Sequence, residues 1–450
     1  MSVIGNSITL GGGGNPVADE DDVIFIDYDG TIRYSYSAEE FLSLTELPPN
    51  PTHDGLTAEG WNWTFEEATA FVAKWRQVTI GQCYITTDGS TKFFIYIPTD
   101  DFLDFPLLFK VAGSGAVITI DWGDGTTPDT FAPSSSSYTP THRYAEHGHY
   151  VISIFVPSGL SFQAAPGDNT QVVPTWPYKT MVYHVRFGRR WDGDVNHVFN
   201  GVGLSSYTTP LNPDYSLYAR YAFMGDDVLP CIILPRGHAS YGQGTFYNQP
   251  AVKYIAAPGN GFNWFTMANT YNSFINLRRL SIKTDGSVTT GFLYAYRLQR
   301  LAIEGATSGN ITYGGFTTIY SLLEFVFPYV TTVNNNSFTK AYSLKRLFFR
   351  QETPPSFSGS SIFTDLYAGC TVIVPYTSLA AYLIATNYPS PITYTYLGHA
   401  TYDIGASLPA QDGSEAYNVT WYASIEDARS GTNAITTGNG KEVYCTYATV

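Results

Sequence analysis

Between Val228 and Phe349 a short pattern of three apolar positions, spaced Leu-x-x-Leu-x-Ile, recurs six times. The triplets are Val228/Cys231/Ile233, Val252/Ile255/Ala257, Leu277/Leu280/Ile282, Leu298/Leu301/Ile303, Leu322/Phe325/Phe327 and Leu344/Leu347/Phe349. Leading residues are 24, 25, 21, 24 and 22 apart, a period at which each unit is one turn that buries its apolar face against the next. A second marker keeps time with the first. Six residues before the leading position stands an aromatic in five units: Phe246, Tyr271, Phe292, Phe316 and Phe338. The first unit departs, with Ala222 there and Phe223 one place later. Two markers at a fixed offset predict a solenoid.

The rest of the chain bounds what surrounds that stack. With 450 residues there is material for about three domains. Aromatics make up 16% and charged residues only 14%, with 41 Gly and 26 Pro. Together with many short Val/Ile/Tyr/Thr runs, this composition predicts strands and turns rather than helices. The net charge of -14 and the lack of a contiguous basic stripe argue against a nucleic-acid partner. No run approaches the ~18 apolar residues that cross a membrane, and MSVIGNSITLGGGG lacks the basic and apolar regions of a secretory signal. Cys83, Cys231, Cys370 and Cys445 lie far apart in apolar contexts and read as buried free thiols.

Residues 1–22 form a Gly-rich arm ending in Asp19-Glu20-Asp21-Asp22: a solvated tail, or a docking arm that orders against a larger assembly. Next, Val23–Ile26 leads into Asp27-Tyr28-Asp29-Gly30-Thr31. An apolar strand followed by Asp-x-Asp-Gly-Thr resembles the nucleophile motif of haloacid dehalogenase-type phosphatases. That resemblance implies Asp27 as nucleophile, Asp29 as acid/base and both as Mg²⁺ ligands. Such an enzyme needs a doubly wound α/β domain, a downstream Lys and a second acidic pair. Here Arg33-Tyr34-Ser35-Tyr36 continues instead as the return strand of a hairpin around Asp-Gly. A short helix is predicted over Ala38–Leu44. A capping box, Thr64-Phe65-Glu66-Glu67, opens a second helix to about Val78, with Phe65, Ala68, Val72 and Trp75 on one face. Trp61 and Trp63 read as core anchors, and Cys83–Thr87 and Lys92–Ile97 as a hairpin around Asp88-Gly89. Residues 23–98 thus form a small α+β module, which resembles the leading domain of repeat proteins encoded by phages and prophages of gut bacteria.

Ile118-Thr119-Ile120-Asp121-Trp122-Gly123-Asp124-Gly125 is followed by Thr141-His142-Arg143-Tyr144 and Gly148-His149-Tyr150. This resembles the PKD family of β-sandwich domains over residues 99–160, and implies a spacer or interaction module. Gly123 and Gly125 permit the tight turn, Asp121 and Asp124 can accept from its amides, and Trp122 packs inward. His142, His147 and His149 are read as structural rather than metal-binding. In the connector 161–227, Met181–Phe187 is a strand candidate and Val198-Phe199-Asn200-Gly201 a degenerate capping repeat. Arg186, Arg189 and Arg190 are the densest positive cluster: a solvated face, or the binding residues for an acidic partner or glycan.

Beyond the repeats, Cys370-Thr371-Val372-Ile373-Val374-Pro375 leads into Ser378–Tyr382 and Tyr388. This resembles the terminal cap of BspA-like leucine-rich repeats, placing the solenoid and cap at 228–391. The usual Lys-Ile-x-Ile-Pro strand endings are mostly replaced, so no ligand carries over. In residues 392–450, Tyr417–Ala423 alternates, and Ala434–Thr437 and Glu442–Thr446 flank Gly438-Asn439-Gly440 as a hairpin, giving a small Ig-like β module.

The expected architecture is therefore mainly β and multidomain: arm, α+β module, PKD-like sandwich, solenoid and β module in an elongated string. There is no Gly-x-Ser-x-Gly, His-Glu-x-x-His or phosphate loop, so no catalytic residue, cofactor or metal is expected. The modules point to a non-enzymatic phage virion protein, a fibre, spike or decoration protein assembled in the host cytoplasm. Its arm would contact other virion proteins, its solenoid a bacterial surface glycan or protein, and its copies a homo-oligomer, trimers being the habit of fibres. The alternative is a bacterial cell-surface adhesin of the BspA-like type.

Overall fold

The computed structural model describes residues 22–107, 109–136, 138–164, 179–188, 202–213, 225–236, 248–260, 274–283, 295–304, 309–311, 320–327, 329–333, 340–359, 362–363, 365–390, 394–412 and 416–449. It is 41% strand and 11% helix, with a β-solenoid of about five turns. The expected arm up to residue 21, the capping repeat at 198–201 and the aromatics of the second marker lie outside the described residues.

The chain opens with β1 (Val23–Ile26), β2 (Ile32–Tyr36), α1 (Ala38–Leu42), β3 (Leu56–Trp61), α2 (Phe65–Trp75) and β4 (Val78–Thr86). These strands form one sheet in the order β2-β1-β4-β3. The β1–β2 hairpin around Asp-Gly is present, from Val23 opposite Tyr36 to Ile26 opposite Ile32, with Gly30 at φ 80. Both helices start on capping boxes, Ser37 with Glu40 and Thr64 with Glu67, which satisfy amide donors that lack helical partners. α2 buries Ala68, Phe71, Val72 and Trp75 and stops where Arg76 turns left-handed at φ 58. Phe65, expected on that face, is only half-buried.

β5 (Thr91–Ile97) does not pair with β4, so the expected second hairpin is not made. The tight turn at Asp88-Gly89 instead passes the chain from one sheet to another. The expected sandwich region adds β6 (Asp104–Pro106), β7 (Phe109–Gly113), β8 (Ile118–Asp121), β9 (Asp129–Phe131), β10 (Thr141–Arg143), β11 (Gly148–Phe155) and β12 (Leu160–Ala164). Its larger sheet is completed by β13 (Val182–Arg186) and β14 (Ser206–Thr208), in the order β14-β13-β5-β11-β8-β9. The Trp-Gly-Asp-Gly turn is built as its residues predict. Gly123 and Gly125 have φ near 80, and Gly123 N donates to Asp121 Oδ1 at 2.9 Å. Trp122 is buried, and the Tyr144 hydroxyl donates to its carbonyl at 2.9 Å. The three histidines take separate partners. His142 bonds Asp124 at 2.7 Å and stacks on Trp122, His147 meets Asp100, and His149 stacks on Tyr96.

In the solenoid, β15 (Cys231–Ile233), β16 (Tyr254–Ala256), β17 (Arg279–Lys283) and β18 (Arg300–Glu304) pair in parallel. β19 (Gly309–Ile311) then starts a second, three-stranded sheet with β21 (Val330–Val333) and β23 (Ser356–Phe357). The first sheet continues through β20 (Glu324–Phe327), β22 (Arg346–Phe349) and β24 (Thr371–Pro375). Five of the six expected triplets point into the interior. The first is displaced by one residue: Leu229, Ile232 and Leu234 line the interior, Ile232 pairs with Ile255, and Val228 is exposed. Counted from Leu229, the aromatic six residues earlier is Phe223, so the first unit no longer departs from the second marker. After β24, α3 (Leu379–Ile384) closes the stack, with Tyr382 and Tyr388 packed on Phe349.

The C-terminal strands are not a separate tip. β25 (Thr395–Thr401) adds in parallel to β24, and β26 (Tyr417–Tyr422), α4 (Ile425–Ser430), β27 (Ala434–Ile435) and β28 (Glu442–Thr449) follow. β28 pairs with β25 and β26, extending one sheet to eleven strands. β27 pairs with β26 rather than β28, so the hairpin expected around Gly438–Gly440 is not made. All four cysteines are buried and free.

Nor are the modules strung end to end. The outward row of the solenoid sheet, Ala302, Val326, Phe348, Ile373 and Leu397, packs in one cluster with Trp63, Phe71, Val72 and Trp75. Beside it, Ile233 and Ala256 pack against Ile24, Ile26 and Cys83. The fit is close enough that a Cβ on Gly81 would stand 2.6 Å from Ile233 and 2.8 Å from Ala256. Buried Asn62 crosses the seam, donating to Leu234 O (3.0 Å) and Ala256 O (2.9 Å) and accepting from Gly81 N (2.9 Å). Trp75 donates to Glu304 at 2.8 Å, Arg236 forks onto Glu67, and Arg300 reaches Asp22 at 2.6 Å.

Candidate functional site

Two places gather chemistry-bearing side chains. The first lies at the end of β1, where Asp27 is fully buried. Its Oδ1 accepts from Tyr28 N (2.9 Å) and the Tyr84 hydroxyl (3.0 Å); its Oδ2 accepts from Arg33 Nε (2.7 Å) and faces His53 Nε2 (2.8 Å). A carboxylate offers about four acceptor positions, and all four are taken. Asp29, exposed in the turn, accepts from Thr31 N at 2.9 Å. An aspartyl nucleophile needs an oxygen open to its substrate, and this one has none. Burial and the Asp27 charge push the Tyr84 phenol well up from its usual range.

Arg186 stands beside this cluster. It donates to Asp54 O at 3.0 Å, lies 5.0 Å over the Phe94 ring, and points Nε at His184 Nε2 (3.3 Å). Burial, with Arg186 adding to it, lowers the His184 pKa to about 4, so its Nε2 accepts while Nδ1 faces Ser206 O at 2.9 Å. Arg186 is thus engaged inside the molecule. Arg189 and Arg190 lie outside the described residues. Tyr28 meets His53 edge-on at 5.1 Å and tilts against His184 at 5.6 Å. The cluster is a packed polar joint between the first sheet and β13.

The second place is the solenoid edge that leads into each strand. Tight turns close there, with Leu298 N donating to Ala295 O and Leu344 N to Ala341 O. Tyr296 and Tyr342 follow the first residue of each turn, a position that faces away from the interior, and are 38% and 50% exposed. Tyr320 holds the same place two residues before Leu322. Parallel strands step by about 4.8 Å, so equivalent residues of successive turns come into register. Tyr296 and Tyr320 stack with ring centroids 5.5 Å apart and planes within 6°, and Tyr320 and Tyr342 follow at 5.9 Å and 4°.

Basic residues flank this ladder. One column is joined by backbone hydrogen bonds: Arg278 N to Lys253 O, Gln299 N to Arg278 O, Leu323 N to Gln299 O, and Lys345 N to Leu323 O. Arg297 and Lys340 stand exposed beside Tyr296 and Tyr342. Residues 228–350 hold eleven Lys and Arg; Arg236, Arg279, Lys283, Arg300, Arg346 and Arg350 are bonded to Glu67, Asp22, Glu304, Asp22, Glu324 and Glu442, and Lys253, Arg278, Arg297, Lys340 and Lys345 stand on the turn edge. The fold assembles a basic strip from positions more than twenty residues apart, so no contiguous stripe announces it. The tyrosines were readable in the sequence, always two residues before the leading leucine.

Comparison with known proteins returns no matching family model and no matching curated protein. Among the described residues, no helix is long and apolar enough to cross a membrane, and no group of three or more His, Cys, Asp or Glu side chains could hold a metal.

Proposed function

We propose that the chain is a non-enzymatic structural and binding protein of a phage particle, a fibre, spike or decoration protein that presents its solenoid to a bacterial surface. The exposed tyrosine ladder carries this reading. The outward row of the solenoid sheet is occupied by α2 and the first sheet, while the turn edge repeats one aromatic pose over three turns toward solvent. A surface of that kind suits a repetitive ligand. The PKD-like turn and the resemblance to BspA-like leucine-rich repeats support the same class, as does the saturated carboxylate of Asp27. In this reading the arm contacts other virion proteins, and the copies form a homo-oligomer, a trimer by analogy with fibres.

Mass spectrometry of purified particles from the source culture tests it. The chain is expected among the particle proteins. Its presence in the cell envelope and absence from particles would overturn the virion reading in favour of a surface adhesin.

A further inference from the structure

Resting on that reading, we propose that the tyrosine edge is a binding track for an extended acidic polysaccharide. Three observations on the solenoid carry it. Tyr296, Tyr320 and Tyr342 repeat at 5.5 and 5.9 Å, a step commensurate with one sugar unit of an extended glycan. Tyr296 and Tyr342 are 38% and 50% exposed, and rings stacked face to face leave their edges for a sugar chain to lie against. Arg297 and Lys345, both exposed, have no carboxylate partner among the described residues and supply charge complementarity along the row.

The charge distribution selects an anionic chain. Lys253, Arg278, Arg297, Lys340 and Lys345 gather on the turn edge of a molecule that is acidic as a whole, so a polyanion is attracted here and repelled elsewhere. Nucleic acid is the less suitable polyanion, because base stacking needs free ring faces and Tyr320, at the centre of the ladder, has both faces against Tyr296 and Tyr342. A carboxylated sugar chain needs only the edges and the cations. Its carboxylates would lie against Arg297 and Lys345, and its hydroxyls against the tyrosine row.

Affinity electrophoresis of the full chain in gels containing polygalacturonate provides the test, with neutral dextran and a single-stranded oligonucleotide as comparators. Retardation by polygalacturonate and not by dextran is expected, weakening as salt rises. The double variant Arg297→Gln/Lys345→Gln should lose about tenfold in affinity, and Tyr320→Ser should weaken binding while its melting temperature reports an intact fold. No retardation, equal retardation by dextran, or tighter binding of the oligonucleotide would each overturn the proposal. Adsorption of the same protein to host cells, measured in parallel, separates the two levels. Cell binding that persists in the double variant refutes the acidic track and leaves surface attachment standing.

Discussion

Two buried carboxylates show how far a single side chain organises this molecule. Asp27 holds four donors from four residues: Tyr28, Arg33, His53 and Tyr84. Asp27→Asn keeps the shape but sets an amide N–H₂ against donors, and breaking a buried pair in this way costs roughly 3–5 kcal/mol. Chemical denaturation should show a loss of that size, with no Mg²⁺-dependent phosphatase activity in either protein. Such activity, abolished in Asp27→Asn, would restore the nucleophile reading. Glu442 is the second case. Burial alone would raise its pKa, but Arg350 and His399 hold it down to about 2. A depressed carboxylate stabilises the fold fully above its unfolded value of 4.5 and loses that contribution as pH falls toward 2. Glu442→Gln should therefore be less stable at neutral pH and show a shallower stability loss between those values. Glu67, also near 2 beside Arg236, keeps part of the slope. Neither network was legible in the sequence, because Arg33 and His53, or Arg350 and His399, meet their carboxylates only through the fold. The one-residue shift of the first repeat has a different origin. Val228-Leu229-Pro230-Cys231-Ile232-Ile233-Leu234 is almost wholly apolar because both faces of β15 are buried, and a two-sided strand loses the alternation that fixes its facing. The aromatic six residues before Leu229 held the answer.

Among elements, β4 is the hinge of the architecture, sheet partner to β1 and β3 and packing partner to β16 and β17. Gly81 gives it the closeness this requires. Gly81→Ala would press a methyl group into Ile233 and Ala256, and overpacking of this kind costs about 1–3 kcal/mol. Thermal melting should register it, whereas Gly89→Ala, with nothing within 4 Å, should show only the smaller strain of its positive φ. The hairpin, capping-box and repeat signals were local, and the β1–β2 hairpin, both helix starts and the solenoid strands stand where those signals put them. Pairing after a turn was not local. Asp88-Gly89 and Gly438–Gly440 both turn the chain as expected, yet β5 and β28 take partners from elsewhere. A turn sets direction, while the partner is set by which apolar face remains to be covered.

At the scale of the whole molecule, the first sheet and the solenoid behave as one body joined by an apolar seam. Cutting the chain at its apparent boundaries would uncover Ala302, Val326, Phe348 and Ile373 together. A protein of residues 228–391 alone should self-associate, which light scattering would detect, while the full chain should not use this face. An exposed apolar patch of that extent is an association surface. Sequence reasoning separated the modules because each carries its own pattern. The seam between them has no pattern of its own beyond unusually apolar outward positions on the repeat strands.

The span of Asn62 has a consequence for how the chain comes into being. Its side chain waits for Leu234 and Ala256, 172 and 194 residues downstream. At ribosomal rates of about 5–20 residues per second, that wait lasts roughly ten to forty seconds. Through that interval Ile24, Ile26 and the edge of β4 have no solenoid to cover them. Contacts of such sequence separation also make for slow closure. The nascent chain therefore passes through a state with a ready adhesive face, and chaperone dependence or low-temperature expression should govern its yield more than its final stability does.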